Sequence, residues 1–469
     1  MRESIRFAFG VLALLQFAAV SLPGADRTQA GPRTALDRYV KAPDTNYSFR
    51  LEKTVEGTGF TVYHLDMISQ EWLTTNEVDR TKWQHWLTVI KPDRVRSSTA
   101  LLFIGGGANR TNSSPSAPDA NLVLVATNTE TVVAELKNVP NQPLVFAGET
   151  KGRSEDALIA YTWDKFLRTQ DEKWPARLPM TKSAVRAMDT ITAFCASDAG
   201  GKVAVDRFFV AGGSKRGWTT WTTAAVDNRV IAIAPIVIDL LNIVPSFIHH
   251  YEVYGFYAPA VGDYTRAHIM DWNGTPEYKA LMKIEEPFEY RERLALPKFI
   301  INASGDQFFV PDSSQFYFKE LKGVKYLRYV PNADHSLRSS DAWTTILACY
   351  SATLHNDKLP QFSWSVEDGA IHVQAQDKPS AVKLWQATND KARDFRLVTI
   401  KDAWISTELT ESGSGAYVAR VEKPAAGWTA FFVELTFPSS ASVPFKFTTD
   451  VKVVPDVNPY KYTQPTAPR

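Results

Sequence analysis

A glycine pair, a serine and two basic residues follow one another in Phe208-Phe209-Val210-Ala211-Gly212-Gly213-Ser214-Lys215-Arg216-Gly217-Trp218. An apolar strand that runs into glycines, a serine and then a helix is what a nucleophile elbow needs. The serine sits on a sharp turn in unusual φ/ψ, and a small residue two positions earlier lets neighbouring strands approach. The helix that follows aims its free N–H groups and partial positive charge at the reacting atoms. The string departs from G-x-S-x-G: Arg216 stands where a small residue is usual, and Gly217 comes one position later. The competing reading is a glycine-rich turn with a structural or phosphate-binding serine, but the Lys-Ser/Thr ending of a P-loop is missing.

A serine nucleophile needs a base and a carboxylate that orients it. His335 follows the apolar run 325–330 in Pro331-Asn332-Ala333-Asp334-His335-Ser336, and Asp306 follows the run 298–303 in Ser304-Gly305-Asp306-Gln307. Their order along the chain, serine then acid then histidine, is the order the α/β-hydrolase fold uses. Asp334 and Asp312 are the alternative acids; Asp306 as a helix cap and His335 as an ordinary loop histidine are the plain readings. Ser214, Asp306 and His335 are the expected catalytic set, and the chemistry is acyl transfer.

Oxyanion donors are expected from the backbone N–H of Lys215 and from the loop Gly105-Gly106-Gly107-Ala108-Asn109 after the strand at 100–104, where Gly106, Gly107 and Ala108 can turn N–H groups into a cleft. A plain turn is the alternative. The Lys215 ammonium has two readings: it folds toward the oxyanion or an acidic substrate group, or it pairs with a carboxylate such as Asp239. Arg216, Trp218, Tyr254 and Tyr257 are candidate substrate-binding residues.

Other chemistries find little support. A net charge of +1 gives no case for nucleic acid. There is no H-E-x-x-H and no paired-cysteine spacing; His249, His250, Asp263, His268 and Asp271 form only a loose cluster, so no metal site is expected. No G-x-G-x-x-G is present. No cofactor is expected, and the expected partner is a small-molecule or peptide substrate.

The elements that must position these residues alternate. Apolar runs at 100–104, 121–126, 207–211, 230–238, 298–303 and 325–330 read as buried strands; 154–169, 181–197, 215–227, 312–321 and 339–354 read as helices. This is a doubly wound α/β domain, begun by antiparallel strands at 47–65 and 86–91. The stretch 239–296, rich in rings (Phe247, Tyr251, Tyr254, Phe256, Tyr257, Tyr264, Trp272, Tyr278), falls between two core strands and is expected to be a helical lid. From Pro360 seven short strands, including 395–399, suggest a C-terminal β-sandwich. The expected division is a signal peptide at 1–30, an α/β-hydrolase domain at 31–357 with the lid at 239–296, the sandwich at 358–457 and a mobile tail at 458–469. Arg2 and Arg6, an apolar run at 7–22 and small residues to Ala30 make the leader, so a secreted or periplasmic protein with no retained span is expected. Cys195 and Cys349 fall in helices on opposite faces of the sheet and should be free, buried thiols.

The segments Val139–Leu144, 154–163, Leu178-Pro179-Met180-Thr181-Lys182, Ser214-Lys215-Arg216-Gly217-Trp218-Thr219-Thr220, 234–237, 305–312 and 330–335 resemble the PhoPQ-activated pathogenicity-related proteins, a family that includes the autocrine proliferation repressor proteins. The resemblance runs from about residue 35 to about Pro455. It implies an α/β-hydrolase fold with an appended β-sandwich and a triad on Ser214, Asp306 and His335, and it supplies no substrate. The elbow also resembles that of glucuronoyl esterases in having a basic residue after the serine and a glycine three positions after it. Two functions are therefore carried forward: a secreted serine hydrolase of ester or peptide bonds, and a secreted binding or signalling protein on a hydrolase scaffold.

Overall fold

A computed structural model describes residues 32–109 and 117–467. The leader expected at 1–30 lies outside these residues. Seventeen strands are present among them: β1 Ser48–Gly57, β2 Phe60–Glu71, β3 Lys82–Pro92, β4 Thr99–Ile104, β5 Val133–Leu136, β6 Arg207–Gly213, β7 Val230–Ile236, β8 Lys298–Ala303, β9 Lys325–Val330, β10 Phe362–Glu367, β11 Ala370–Ala375, β12 Ala381–Asn389, β13 Ile405–Glu408, β14 Ala416–Arg420, β15 Trp428–Phe437, β16 Phe445–Thr448 and β17 Lys452–Val454. The helices are α1 Ala35–Lys41, α2 Ala120–Thr129, α3 Glu155–Thr169, α4 Arg177–Ala196, α5 Lys215–Val226, α6 Ile243–Tyr254, α7 Gly262–Arg266, α8 Pro276–Glu285, α9 Ala342–His355 and α10 Leu397–Ile400.

The main sheet runs β1-β2-β3-β5-β4-β6-β7-β8-β9-β16-β15-β12-β13. Its centre, β5-β4-β6-β7-β8-β9, is parallel, and β1-β2-β3 joins it antiparallel. The exchange of β4 and β5 and the antiparallel start are those of the α/β-hydrolase fold. Alternate residues of the strands serve two cores. Leu102, Val210 and Ile233 pack with α3, α4, α5 and the insertion between β7 and β8. Leu101, Phe209 and Ala232 pack with α2 and α9. Cys195 and Cys349 are free and buried, one in each core. No helix of the described residues is long and apolar enough to cross a membrane.

Three expectations are corrected. The run at 121–126 is not a strand but lies in α2: Asp119 caps it by accepting from Asn121 N at 2.8 Å, and Leu122, Val125 and Ala126 form its buried stripe at i, i+3 and i+4. No α-helix forms at 312–321. Two short 3₁₀ turns, Ser313–Phe316 and Phe318–Glu320, flank a non-helical Tyr317, whose hydroxyl is drawn 2.6 Å from the buried Asp239. The segment 395–399 is not a strand either. The Asp394 carboxylate accepts from Arg396 N, the Arg396 guanidinium and Thr399 Oγ1, and this curls the chain into a loop holding α10. The tail is laid on the insertion: Tyr460 N donates to Glu252 O at 3.0 Å, the Tyr462 and Tyr251 rings lie 5.6 Å apart, and Gln464 donates to Asp271 O.

The C-terminal strands do form two layers, but one of them continues the main sheet. β16 pairs with β9 at Thr448 and Leu327, which covers an edge that would otherwise offer unpaired backbone groups. The separate sheet β10-β11-β14 shares a core with that extension, where Ile371, Val373 and Ala419 meet Leu384, Val433 and Phe447.

Candidate active site

Ser214 stands between β6 and α5 at φ 57°, ψ −126°, a strained conformation that a non-glycine residue keeps only when its surroundings impose it. The surroundings explain the departure from the usual motif. A Cβ on Gly217 would lie 2.9 Å from Gly212 O and 3.0 Å from Ile236 O, and one on Gly212 would lie 2.8 Å from Arg216 O. The close crossing of strand and helix therefore falls at Gly212 and Gly217, and position 216 is free to carry a long side chain.

Asp306 and His335 come from the loops after β8 and β9, at the same carboxyl edge. The Asp306 Oδ2 lies 2.8 Å from His335 Nδ1, while its Oδ1 accepts from Phe308 N at 2.7 Å. His335 N donates to Gln307 Oε1, and the Phe308 ring lies 4.3 Å from the imidazole. An ionised carboxylate only accepts, so it selects the tautomer with the proton on Nδ1 and leaves Nε2 as the acceptor. Nε2 is buried and has no hydrogen-bond partner in this structure. The alternative acids are committed elsewhere. Asp334 holds Ser336 N and Oγ, and Asp312 is bound by His249 at 2.9 Å and Arg393 at 2.6 Å.

The glycine loop leaves β4 beside the elbow, since Ile104, the last residue of β4, is level with Gly212, two residues before Ser214. The N–H groups of Gly106, Gly107, Ala108 and Lys215 have no acceptor among the described residues. Gly107, at φ +144°, has Asn138 Oδ1 only 2.3 Å from where a Cβ would stand, so a larger residue would be strained there and would have to displace the Asn138 side chain.

Both basic residues after the serine are ion-paired. Arg216 meets Glu155 in a two-pronged contact at 2.6 and 2.8 Å and donates to Val139 O. Lys215 Nζ lies 2.8 Å from Glu155 and 3.4 Å from Asp156. The lysine partner is thus Glu155, and not Asp239. Burial would raise the Glu155 carboxyl, but the Arg216 and Lys215 cations outweigh it and hold it at about 2. Glu155 also accepts from Gln142, whose amide donates to Gly107 O, so this carboxylate ties the elbow to the glycine loop. Glu155 was not singled out in the sequence; its only signal was a place inside the family-like segment 154–163.

A cavity beside Ser214 is lined by Lys215, Trp218, Trp163, Phe308 and Phe309 and, from the insertion, Phe247, Val261 and Tyr264. Of the candidate substrate-binding residues, Trp218 lines this cavity, whereas Arg216 is held under the glycine loop. Tyr254 and Tyr257 lie away from this cavity: Tyr254 packs beneath the Arg396 guanidinium, and Tyr257 against Phe247, His250 and Tyr251. No cluster of three metal-binding side chains occurs among the described residues.

Asp239, just after β7, is a second buried carboxyl near the site. It accepts from the Tyr317 and Tyr329 hydroxyls, each at 2.6 Å. Burial pushes it up to about 7 against those two donors. Its folded value lies above its unfolded one of about 4, so the sign is opposite to that of a salt-bridged acid. Ionisation here costs stability, a cost absent below about pH 4 and complete above about pH 7. Asp239→Asn cannot ionise, so urea unfolding at pH 5 and pH 8 should show the stability difference moving in the variant's favour as pH rises. An unchanged difference would mean that Asp239 is already ionised at pH 5.

Comparison with known proteins shows the family to which the chain belongs. The model of the PhoPQ-activated pathogenicity-related protein family matches residues 36–396. Autocrine proliferation repressor protein A of Dictyostelium discoideum is 36% identical over 459 residues, covering 91% of this chain and 92% of that protein. Among solved structures, acetyl xylan esterase 1 from Thermoanaerobacterium sp. is similar with a TM-score of 0.44 at 14% identity, over 68% of this chain and 91% of that one. A glucuronoyl esterase from Solibacter usitatus is similar with a TM-score of 0.38 at 14% identity, over 68% and 91%. The chain belongs to the PhoPQ-activated pathogenicity-related protein family.

Proposed function

We propose that this chain is a serine hydrolase that works outside the cytoplasm and cleaves an ester or amide bond through an acyl-enzyme on Ser214. The observation that carries the reading is the Asp306–His335 pair at 2.8 Å, on the same sheet edge as a serine at positive φ. In this mechanism His335 Nε2 takes the Ser214 proton as Oγ attacks the carbonyl carbon. Asp306 holds the tautomer and stabilises the imidazolium. The free N–H groups of Lys215 and of the Gly106–Ala108 loop receive the oxyanion. The leaving group departs with the proton from His335, and water then releases the acid. Secretion rests on the basic, apolar and small residues of the leader.

A second reading has its own support. A 36% identical relative is named as a proliferation repressor, and His335 Nε2 makes no hydrogen bond in this structure. The chain would then be an extracellular binding or signalling protein that has kept the hydrolase scaffold. Labelling with a small fluorophosphonate separates the two. Labelling of the folded chain that is lost in Ser214→Ala is the expected result; absence of labelling would favour the binder.

A further inference from the structure

The walls of the Ser214 cavity limit what the site can hold. Once a carbonyl carbon is bonded to Ser214 Oγ, its oxygen faces the Lys215 N–H, and two substituents remain. One is the leaving group, which must take its proton from His335 and so must lie on the His335 side. Ser214 and Lys215 line the cavity directly, whereas His335 borders it only through the Phe308 and Phe309 rings packed on its imidazole. We take the cavity as the seat of the other substituent, the acyl chain.

Its size is small, ≈ 40 Å³, room for about three waters at roughly 10–15 Å³ of such space each. Trp163, Trp218, Phe308 and Phe309, with Phe247, Val261 and Tyr264 of the insertion, make up most of its apolar lining. Its charged groups are already paired within the protein. Lys215 is bound to Glu155 and Asp156, Asp156 also accepts from Tyr264, and Arg177 lies 3.2 Å from Glu285. An acyl chain that carried a charge would enter without a free counter-ion. A peptidyl acyl group would need an exit for the rest of its chain.

We propose that the substrates are esters of short, uncharged acids, from acetyl to butyryl, with the acyl chain seated in this cavity. This rests on the serine-hydrolase reading. The bond from the acyl carbon to the alcohol oxygen breaks as the bond to Ser214 Oγ forms. The serine proton passes through His335 to the departing alcohol. Water then adds its oxygen to the acyl carbon, its proton returns through His335 to Ser214, and a short carboxylic acid leaves.

The test is a chain-length profile with 4-nitrophenyl acetate, butyrate, octanoate and laurate, using the full chain with Ser214→Ala as background. The expected result is a kcat/KM for octanoate at least 100-fold below that for acetate, because well-packed cavities resist added methylenes. Phe247→Ala, which removes part of the lining, should narrow the octanoate-to-acetate gap about tenfold. The profile of the unmodified chain decides the question even if that variant fails to fold. Octanoate or laurate turned over as well as acetate would overturn the proposal. So would a chain that fluorophosphonate labels at Ser214 but that hydrolyses none of these esters. Absence of labelling would instead remove the serine-hydrolase reading beneath it.

Discussion

Replacing His335 with alanine is expected to lower kcat/KM for the ester the chain hydrolyses best by on the order of 10⁴–10⁶-fold, at an almost unchanged unfolding midpoint. The size follows from its place in the proposed mechanism, in which His335 is the general base for Ser214. The small effect on stability follows from its contacts. The ring touches Asp306 through Nδ1 and Phe308 through its face, and Nε2 serves no structural bond. Asp306→Asn should cost on the order of 10⁴-fold, because an amide in that place no longer enforces the Nδ1-protonated tautomer. Ser214→Ala combined with His335→Ala should be no worse than either alone, since the residues act as one unit. Steady-state kinetics beside thermal unfolding checks all three; a loss below tenfold for His335→Ala would sink the mechanism.

The residues of the proposed triad could be singled out because each of their positions is marked locally. A serine framed by Gly212, Gly213 and Gly217 can only be a tight strand-to-helix turn, and Asp306 and His335 each follow a run of buried strand residues. What a linear reading cannot show is pairing across the sheet. Asp306 was favoured as the acid by its place after the strand before His335, with Asp312 and Asp334 as alternatives; the contacts that engage those two involve Arg393, 81 residues beyond Asp312, and Ser336, two beyond Asp334. The role of Glu155 was hidden for the same reason, since its partners Arg216 and Lys215 lie some 60 residues away. Likewise the rings of the insertion were visible as a group, but which of them face Ser214 depends on how its short helices pack. Phe247 and Tyr264 do, and Tyr254 and Tyr257 do not.

The fold was readable where apolar period and length agreed, as at Lys298–Ala303 and Lys325–Val330, whose strand limits match the sequence runs. It failed where a side chain made a stronger bond than local pattern implies. Asp394 curled a supposed strand by binding the backbone beyond it, Asp119 started a helix in an apolar run that reads equally as strand, and Tyr317 left helical geometry with its hydroxyl bonded to Asp239. The contacts of the tail were not legible either, because the ring and backbone partners of Tyr460 and Tyr462 lie on the insertion, some 200 residues earlier.

Arg393→Leu should destabilise the chain by about 3–5 kcal/mol, the usual cost of removing one partner of a buried ion pair. Arg393 belongs to the loop after β12, is 2% exposed, and donates to Asp312 at 2.6 Å; the other Asp312 oxygen meets His249 of α6. One carboxylate thus joins the C-terminal region, the insertion and the loop that carries Asp306. The same C-terminal loop reaches Gly305, whose carbonyl accepts from Leu397 N, so kcat should fall with stability although no C-terminal side chain makes a hydrogen bond to Ser214 or His335 among the described residues. Burial alone would raise the Asp312 carboxyl, but the Arg393 cation first and His249 second hold it well below the usual range. A depressed folded value contributes stability above the unfolded value of about 4, which is lost as pH falls through the folded one. Without Arg393 that contribution shrinks or reverses, so the gap between wild type and variant should be widest near neutrality and narrow below about pH 4. Arg393→Leu combined with Asp312→Leu should recover much of the loss, because two apolar side chains leave no unpaired charge. Urea unfolding of the two single variants and the double at pH 7 and pH 3.5 measures each of these differences. A double variant as unstable as Arg393→Leu alone would mean that the arginine acts through its packing in the loop, and not through the carboxylate it neutralises.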